Sequence, residues 1–217
     1  DIDLRQREIF GTGQRLTIAA QGFEATLDLP LIGAFQADNV LCAISLVLAC
    51  GEGPEDVFTA AAQLTGVPGR LQAVGGHVYV DYAHKPEALR AAIDALRPHT
   101  KGQLVVVFGC GGDRDKGKRP IMGAIADQLA DQIIVTDDNP RSEDPSLIRA
   151  EILSACPGAV EIGDRGLAIA TAISGLAADD VLLIAGKGHE TGQTVAGVTH
   201  PFDDRDVARK ILAEVRS

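Results

Sequence analysis

At 217 residues with 46% hydrophobic content, the chain can bury one large core or two modest ones, which argues against a disordered protein. Twenty Lys and Arg against thirty Asp and Glu give a formal net charge of −10, so the basic face required by a nucleic-acid binder is missing. No apolar stretch reaches the roughly 18 residues of a membrane span, so no membrane partner is expected. The opening Asp-Ile-Asp-Leu-Arg has neither the charged nor the apolar segment of an export signal. Cys42, Cys50, Cys110 and Cys156 form no CxxC pair and are read as reduced packing residues, which together with the missing export signal points to the cytoplasm. The chain starts without Met in strand-like sequence, as expected of a piece of a larger protein.

Residues 15–29, RLTIAAQGFEATLDL, alternate apolar and polar on either side of Gln21-Gly22, which predicts a hairpin at a sheet edge ending before Gly33. From Gln36 to Cys50, Val40, Leu41, Ile44, Val47 and Leu48 recur at helical spacing, and a second helix is expected from Pro54 to Leu64. The segment TGVPGR then reads as a linker.

Beyond it come the strand-like runs LQAV, HVYVDY, LVVVFG, QIIVTD, AVEIGD and VLLIAG. The helical patterns cover Pro86–Leu96, Lys118–Ala130, Pro145–Ala155, Arg165–Leu176 and Asp203–Val215. Nearly continuous apolar strands alternating with amphipathic helices predict a doubly wound α/β domain whose mostly parallel sheet is covered on both faces. Ligands in such a domain bind beyond the carboxyl ends of the strands, so the loops there carry the chemistry.

After LVVVFG the chain reads GCGGDRDKGKRP, glycines followed by Arg114, Lys116, Lys118 and Arg119 at the start of a helix. Clustered backbone N–H groups and cations predict an anion site; the alternative is a solvated turn. Gly112–Lys118 fits GxxxxGK, but Arg119 stands where a phosphate-binding P-loop needs Ser or Thr, so that motif is rejected. The loop after QIIVTD offers Asp138, Asn139, Pro140 and Arg141, a carboxylate for an ammonium and a guanidinium for a carboxylate, suited to a zwitterion. An Asx-type turn accounts for Asp138 and Asn139 but leaves Arg141 unexplained. After VLLIAG come Lys187, Gly188, His189 and Glu190, with His189 readable as a structural residue. Asp81, at the tip of HVYV, suits ribose hydroxyls or a helix cap.

DYAH followed after one residue by Pro, FGCGGDRDKGKRP, DNPR and AGKGHE, in this order, resemble the carboxy-terminal domain of the Mur ligases; GVPGR and GAFQADN resemble the end of the family's central ATP-binding domain. The resemblance implies a Rossmann-like domain over residues 68–217 that binds the amino acid and part of ATP, preceded over 1–67 by the tail of the central domain. Within the family, DNPR resembles the diaminopimelate-recognition motif. Carried over, Arg114, Asp138, Asn139, Pro140, Arg141, Gly186 and Glu190 are expected at the amino acid, and Asn39, Arg70, Asp81, His84 and Lys116 at the nucleotide. The implied reaction joins meso-diaminopimelate to UDP-N-acetylmuramoyl-L-alanyl-D-glutamate through an acyl phosphate, with ATP and Mg²⁺, in a monomeric enzyme. Lys85 departs from the Thr or Asn that the resemblance leads one to expect. The P-loop and the family's Mg²⁺-holding lysine are not in this sequence, so the chain alone is expected to bind without turnover. A folylpolyglutamate-type ligase and a non-catalytic anion-binding α/β module are the alternatives.

Overall fold

A computed structural model describes residues 1–215. The chain forms two compact units, Asp1–Gly66 and the remainder from Val67.

In the first unit β1 (Ile2–Phe10), β2 (Gly13–Ala20) and β3 (Phe23–Leu29) form an antiparallel meander, followed by α1 (Ala34–Ala49) and α2 (Pro54–Ala61). Gln21 and Gly22 both have positive φ, 52° and 83°, the backbone of a tight hairpin turn whose twist matches that of its strands. The expected hairpin is therefore present, but β2 is the central strand, because β1 pairs along its other side. Leu16 and Ile18 of β2 and Leu27 and Leu29 of β3 face Ala37, Val40, Ile44 and Leu48, one stripe of α1. The second helix stops at Ala61, three residues short of the expected Leu64.

The second unit is built on a six-stranded sheet in the order β4-β5-β9-β6-β7-β8, comprising β4 (Gln72–Gly75), β5 (Val78–Asp81), β6 (Leu104–Phe108), β7 (Gln132–Val135), β8 (Val160–Glu161) and β9 (Val181–Ala185). Only β4, at one edge, runs antiparallel to its neighbour. Between the strands lie α3 (Pro86–Leu96), α4 (Lys118–Leu129), α5 (Pro145–Leu153) and α6 (Arg165–Gly175), and α7 (Asp204–Val215) follows the last strands. Val78, Val80, Val105, Val107, Leu182 and Ile184 project from one face of the sheet onto Ala168, Ile169, Ala172 and Ile173 of α6 and Ala208 of α7. Leu104, Val106, Phe108, Val181 and Leu183 alternate with them and are equally buried, which is why these strands read as unbroken apolar runs.

The sheet is thus mixed and mostly parallel, with helices on both faces. Chain order reverses beside β9, which inserts between β5 and β6, so the tips of β5, β6, β7 and β9 surround one crevice. Two differences from expectation are physical. AVEIGD contributes only Val160–Glu161 to the sheet, at an exposed edge. An unexpected hairpin, β10 (Gly192–Val195) and β11 (Val198–Pro201), turns at Ala196-Gly197, both with positive φ. Alanine rarely occupies such a turn, so Gly197 stands as a single, weak turn signal in the sequence.

Of the cysteines, Cys110 and Cys156 fit the packing role: burial pushes their thiols up to about 12 and about 11. Cys42 and Cys50 are exposed, which corrects the packing reading for those two. Among the described residues no helix is long and apolar enough to cross a membrane.

Candidate functional site

A cavity of about 820 Å³ opens beyond the strand tips of the second unit, and Arg114, Asp138, Asn139, Arg141, Gly186 and Glu190 all line it. Asp138 sits just past β7 with 6% of its surface exposed and accepts no side-chain hydrogen bond from the described residues; the nearest cation is Lys187 Nζ, 3.9 Å away. Burial pushes its carboxyl upward, and the charges of Arg165 and Lys187 pull it back. A buried carboxylate with spare acceptor capacity at a cavity wall is a receptor for a cation.

One Nδ2 N–H and the Oδ1 of Asn139 are engaged within the protein. Its Nδ2 donates to Glu190 Oε2 at 2.9 Å, while its Oδ1 accepts from Lys187 Nζ at 3.1 Å and from Thr194 N at 2.9 Å. Pro140 sets up the turn into Arg141, whose φ of 52° is held by backbone bonds to the unexpected hairpin: Arg141 N donates to Thr194 O at 3.0 Å and Ala196 N to Arg141 O at 2.6 Å. The Arg141 guanidinium donates through Nη1 to Gly112 O at 2.8 Å and to Asn139 O at 3.4 Å, leaving Nε and Nη2 for the cavity. Gly186 ends β9 at a φ of 120°, and a Cβ there would lie 2.6 Å from Asp138 Oδ2. Only glycine lets Asp138 keep its place.

The glycine-rich loop is organised differently from the anion cradle expected of it. Glu143, on the loop after β7, takes Asp113 N at 2.6 Å, Arg119 at 2.9 Å and Lys116 Nζ at 3.0 Å. Arg119 is fully buried and bonds Glu151 as well, at 3.0 Å. Gly112 N donates to Asn139 O at 2.9 Å, Gly117 N to Asp115 Oδ1 at 2.9 Å, and Lys118 Nζ to His84 O at 2.6 Å. A Cβ on Gly112 would strike Pro140 O, so this glycine permits the two loops to touch. Of the four expected cations only Arg114 and Lys118 border the cavity, and Lys118 is engaged. Of the expected anion cradle, the Gly112, Asp113 and Gly117 N–H groups and the Lys116, Lys118 and Arg119 side chains bind the neighbouring loop, the loop itself or His84 O.

The residues expected at a nucleotide have different local settings. His84 lines the cavity, its Nδ1 2.8 Å from Tyr82 O and its ring 4.4 Å from that of Tyr82. Arg70 lies over the Tyr82 ring, 4.8 Å from its centre, but does not line the cavity. Asp81 is buried and spends Oδ2 on Leu71 N at 2.7 Å, with its carboxyl raised by burial. Lys116 is exposed and paired with Glu143. Asn39 belongs to α1 of the first unit, where Nδ2 donates to Gln36 Oε1 at 3.2 Å.

Sequence reasoning missed the buried charges beneath the site. Arg165 and Asp204, both without solvent exposure, form a two-bonded ion pair with N–O distances of 2.7 Å. The same guanidinium donates to Asp137 O at 3.3 Å and Ala185 O at 3.0 Å, the carbonyls immediately before Asp138 and Gly186. Among the described residues no group of three or more His, Cys, Asp or Glu is arranged to hold a metal ion.

Comparison with known proteins gives the family. The family described as "Mur ligase, glutamate ligase domain" matches residues 69–188. A protein of Caulobacter vibrioides named UDP-N-acetylmuramoyl-L-alanyl-D-glutamate--2,6-diaminopimelate ligase is 59% identical over 197 residues, covering 88% of this chain and 40% of that protein. A solved structure of a ligase of the same name aligns over 100% of this chain and 46% of its own, with a TM-score of 0.74 at 35% identity. Mycobacterium tuberculosis folylpolyglutamate synthase shares the fold over 85% of this chain and 45% of its own, with a TM-score of 0.70 at 24% identity. The chain spans less than half the length of these relatives. It belongs to the Mur ligase family, and its second unit carries that family's glutamate ligase domain.

Proposed function

We propose that the chain is the amino-acid-binding part of an ATP-dependent ligase that joins meso-diaminopimelate to UDP-N-acetylmuramoyl-L-alanyl-D-glutamate. The observation that carries this reading is the placement of Asp138 and Arg141, three residues apart in one loop, on the wall of one cavity. The buried Asp138 carboxylate suits an ammonium, and the free edge of Arg141, with Arg114, suits a carboxylate. Meso-diaminopimelate carries both groups at its distal end. The names of the relatives support the same substrate.

In this reading ATP phosphorylates the D-glutamate side-chain carboxylate, and the amine of diaminopimelate attacks the acyl phosphate to form the amide. This chain holds the distal head group so that the reacting amine points at the activated carbon, a contribution of orientation rather than of a protein nucleophile. Residues 68–217 form the amino-acid domain and residues 1–67 the end of a central ATP-binding domain. Arg70 and His84, gathered round Tyr82, lie on the nucleotide side, with Asn39, Asp81 and Lys116 as further candidates. Mg²⁺ is held by other parts of the longer enzyme, which works in the cytoplasm as a monomer.

Titration calorimetry of the chain with meso-diaminopimelate, L-lysine and L-glutamate tests the proposal. Preferential binding of meso-diaminopimelate is expected. Preference for L-glutamate would move the protein to the folylpolyglutamate type, and heat only from phosphate or sulfate would reduce it to an anion-binding module.

A further inference from the structure

Lys187 follows β9 with its side chain fully buried, and it is not among the residues that line the cavity. Its Nζ nonetheless reaches three that are: 3.1 Å from Asn139 Oδ1, 3.1 Å from Glu190 Oε2 and 3.9 Å from Asp138 Oδ1. An ammonium removed from water persists only where carboxylates and hydrogen bonds compensate it, so these three contacts account for its position. Its charge also changes what the cavity accepts.

Asp138 and Glu190 bring two carboxylates to one part of the wall, while Arg141 and Arg114 bring two guanidinium groups. Arg165 below also bears on Asp138, but it is paired with Asp204 and both stay in place when only Lys187 is changed, so the difference between the Lys187 variants is the charge of Lys187 alone. With Lys187 counted, the acidic part carries one net negative charge instead of two. A zwitterionic head group adds one charge of each sign and is matched by such a wall. A ligand ending in a lone ammonium supplies only the positive charge, and a doubly negative wall would favour it.

We propose that Lys187 is a specificity-determining residue that never touches the ligand: it halves the negative charge facing the cavity and fixes Asn139 and Glu190, so that a distal amino-acid head is chosen over a bare ammonium. The inference rests on the amino-acid reading of the cavity given above.

The test is titration calorimetry of the 217-residue chain with meso-diaminopimelate and with L-lysine, the wild type beside Lys187→Met and Lys187→Arg, with folding checked by circular dichroism. Lys187→Met keeps the stem and removes the charge; it should narrow the ratio of the two affinities by about tenfold or more. Lys187→Arg, which retains the charge, should hold that ratio within about threefold of wild type. A loosened site would weaken both ligands together and leave the ratio alone. A Lys187→Met ratio within about twofold of wild type, beside a wild type that prefers diaminopimelate, sinks the Lys187 assignment and spares the amino-acid reading. A wild type that binds neither ligand removes both. Should Met at this position prevent folding, Lys187→Gln carries the same expectation, since it still donates one hydrogen bond; failure of both variants to fold would make the ammonium a folding requirement and overturn the specificity role.

Discussion

Glu143 lies 2.9 Å from the guanidinium of Arg119, a residue with no solvent exposure, and this pair fastens the glycine-rich loop to the loop after β7. Arg119, the Asp113 N–H and Lys116 together hold the Glu143 carboxyl down at about 2, from an ordinary value of 4.5. Because the folded-state value is depressed, the stabilisation is fully present above about 4.5 and is lost as pH falls toward about 2. Glu143→Gln should lower the thermal midpoint at neutral pH and flatten its fall across that window. Parallel midpoint curves for variant and wild type between those pH values would show that Glu143 plays no such part.

The buried pair of Arg165 and Asp204 predicts a larger effect on stability. Asp204→Ala leaves a guanidinium uncompensated at zero exposure, a cost of about 3–5 kcal/mol in urea unfolding of the second unit. Arg165→Met with Asp204→Leu removes both charges and should recover much of that loss. If the double variant is as unstable as the sum of the two single ones, the charges are not coupled as the geometry indicates.

Gly186→Ala tests how tightly the amino-acid site is built. Its φ of 120° is strained for any side chain, and the new Cβ would start 2.6 Å from Asp138 Oδ2. The expected result is a loss of about 1–3 kcal/mol in stability and at least about tenfold weaker binding of meso-diaminopimelate as Asp138 is pushed aside. Undiminished affinity in a folded variant would mean that the position of Asp138 is unimportant to the ligand.

What could be read in the sequence was whatever announces itself locally. Pro86 and Pro145 open α3 and α5 at the position where a missing N–H costs nothing, and Asp144 caps α5 by accepting from Ser146 N at 2.8 Å. The strand tips followed from strand pattern alone, and with them the loops that meet at the cavity. Charged residues that are buried were illegible, because their partners are remote in sequence: Arg119 finds Glu143 24 residues on, and Arg165 finds Asp204 39 residues on. Four cations after a run of glycines look like an anion cradle until Glu143 is brought against them. Lys187 stood in plain view beside His189 and Glu190, but nothing local distinguishes a buried ammonium from a solvated one.

Arg141 carries the last prediction, which concerns the choice between meso-diaminopimelate and L-lysine, ligands that differ by one distal carboxylate. That carboxylate, once desolvated in the cavity, needs the N–H groups of Arg141 that Gly112 O and Asn139 O do not occupy. Removing them strands a charge at a cost of about 2–5 kcal/mol, equivalent to roughly 30- to 4,000-fold in affinity. Arg141→Ala should therefore weaken meso-diaminopimelate by at least about 30-fold. L-lysine offers nothing to the guanidinium, so its binding should change by no more than about threefold. The comparison also separates recognition from support, because Arg141 steadies the glycine-rich loop through Gly112 O at 2.8 Å, and a loop set loose would cost both ligands alike. Arg141→Lys should recover only part of the loss, since one ammonium cannot hold Gly112 O and also meet a carboxylate with two parallel hydrogen bonds. Calorimetry with both ligands on the three proteins decides the matter: if Arg141→Ala keeps its preference for meso-diaminopimelate within about threefold of wild type, the loop that carries Arg141 does not read the distal carboxylate.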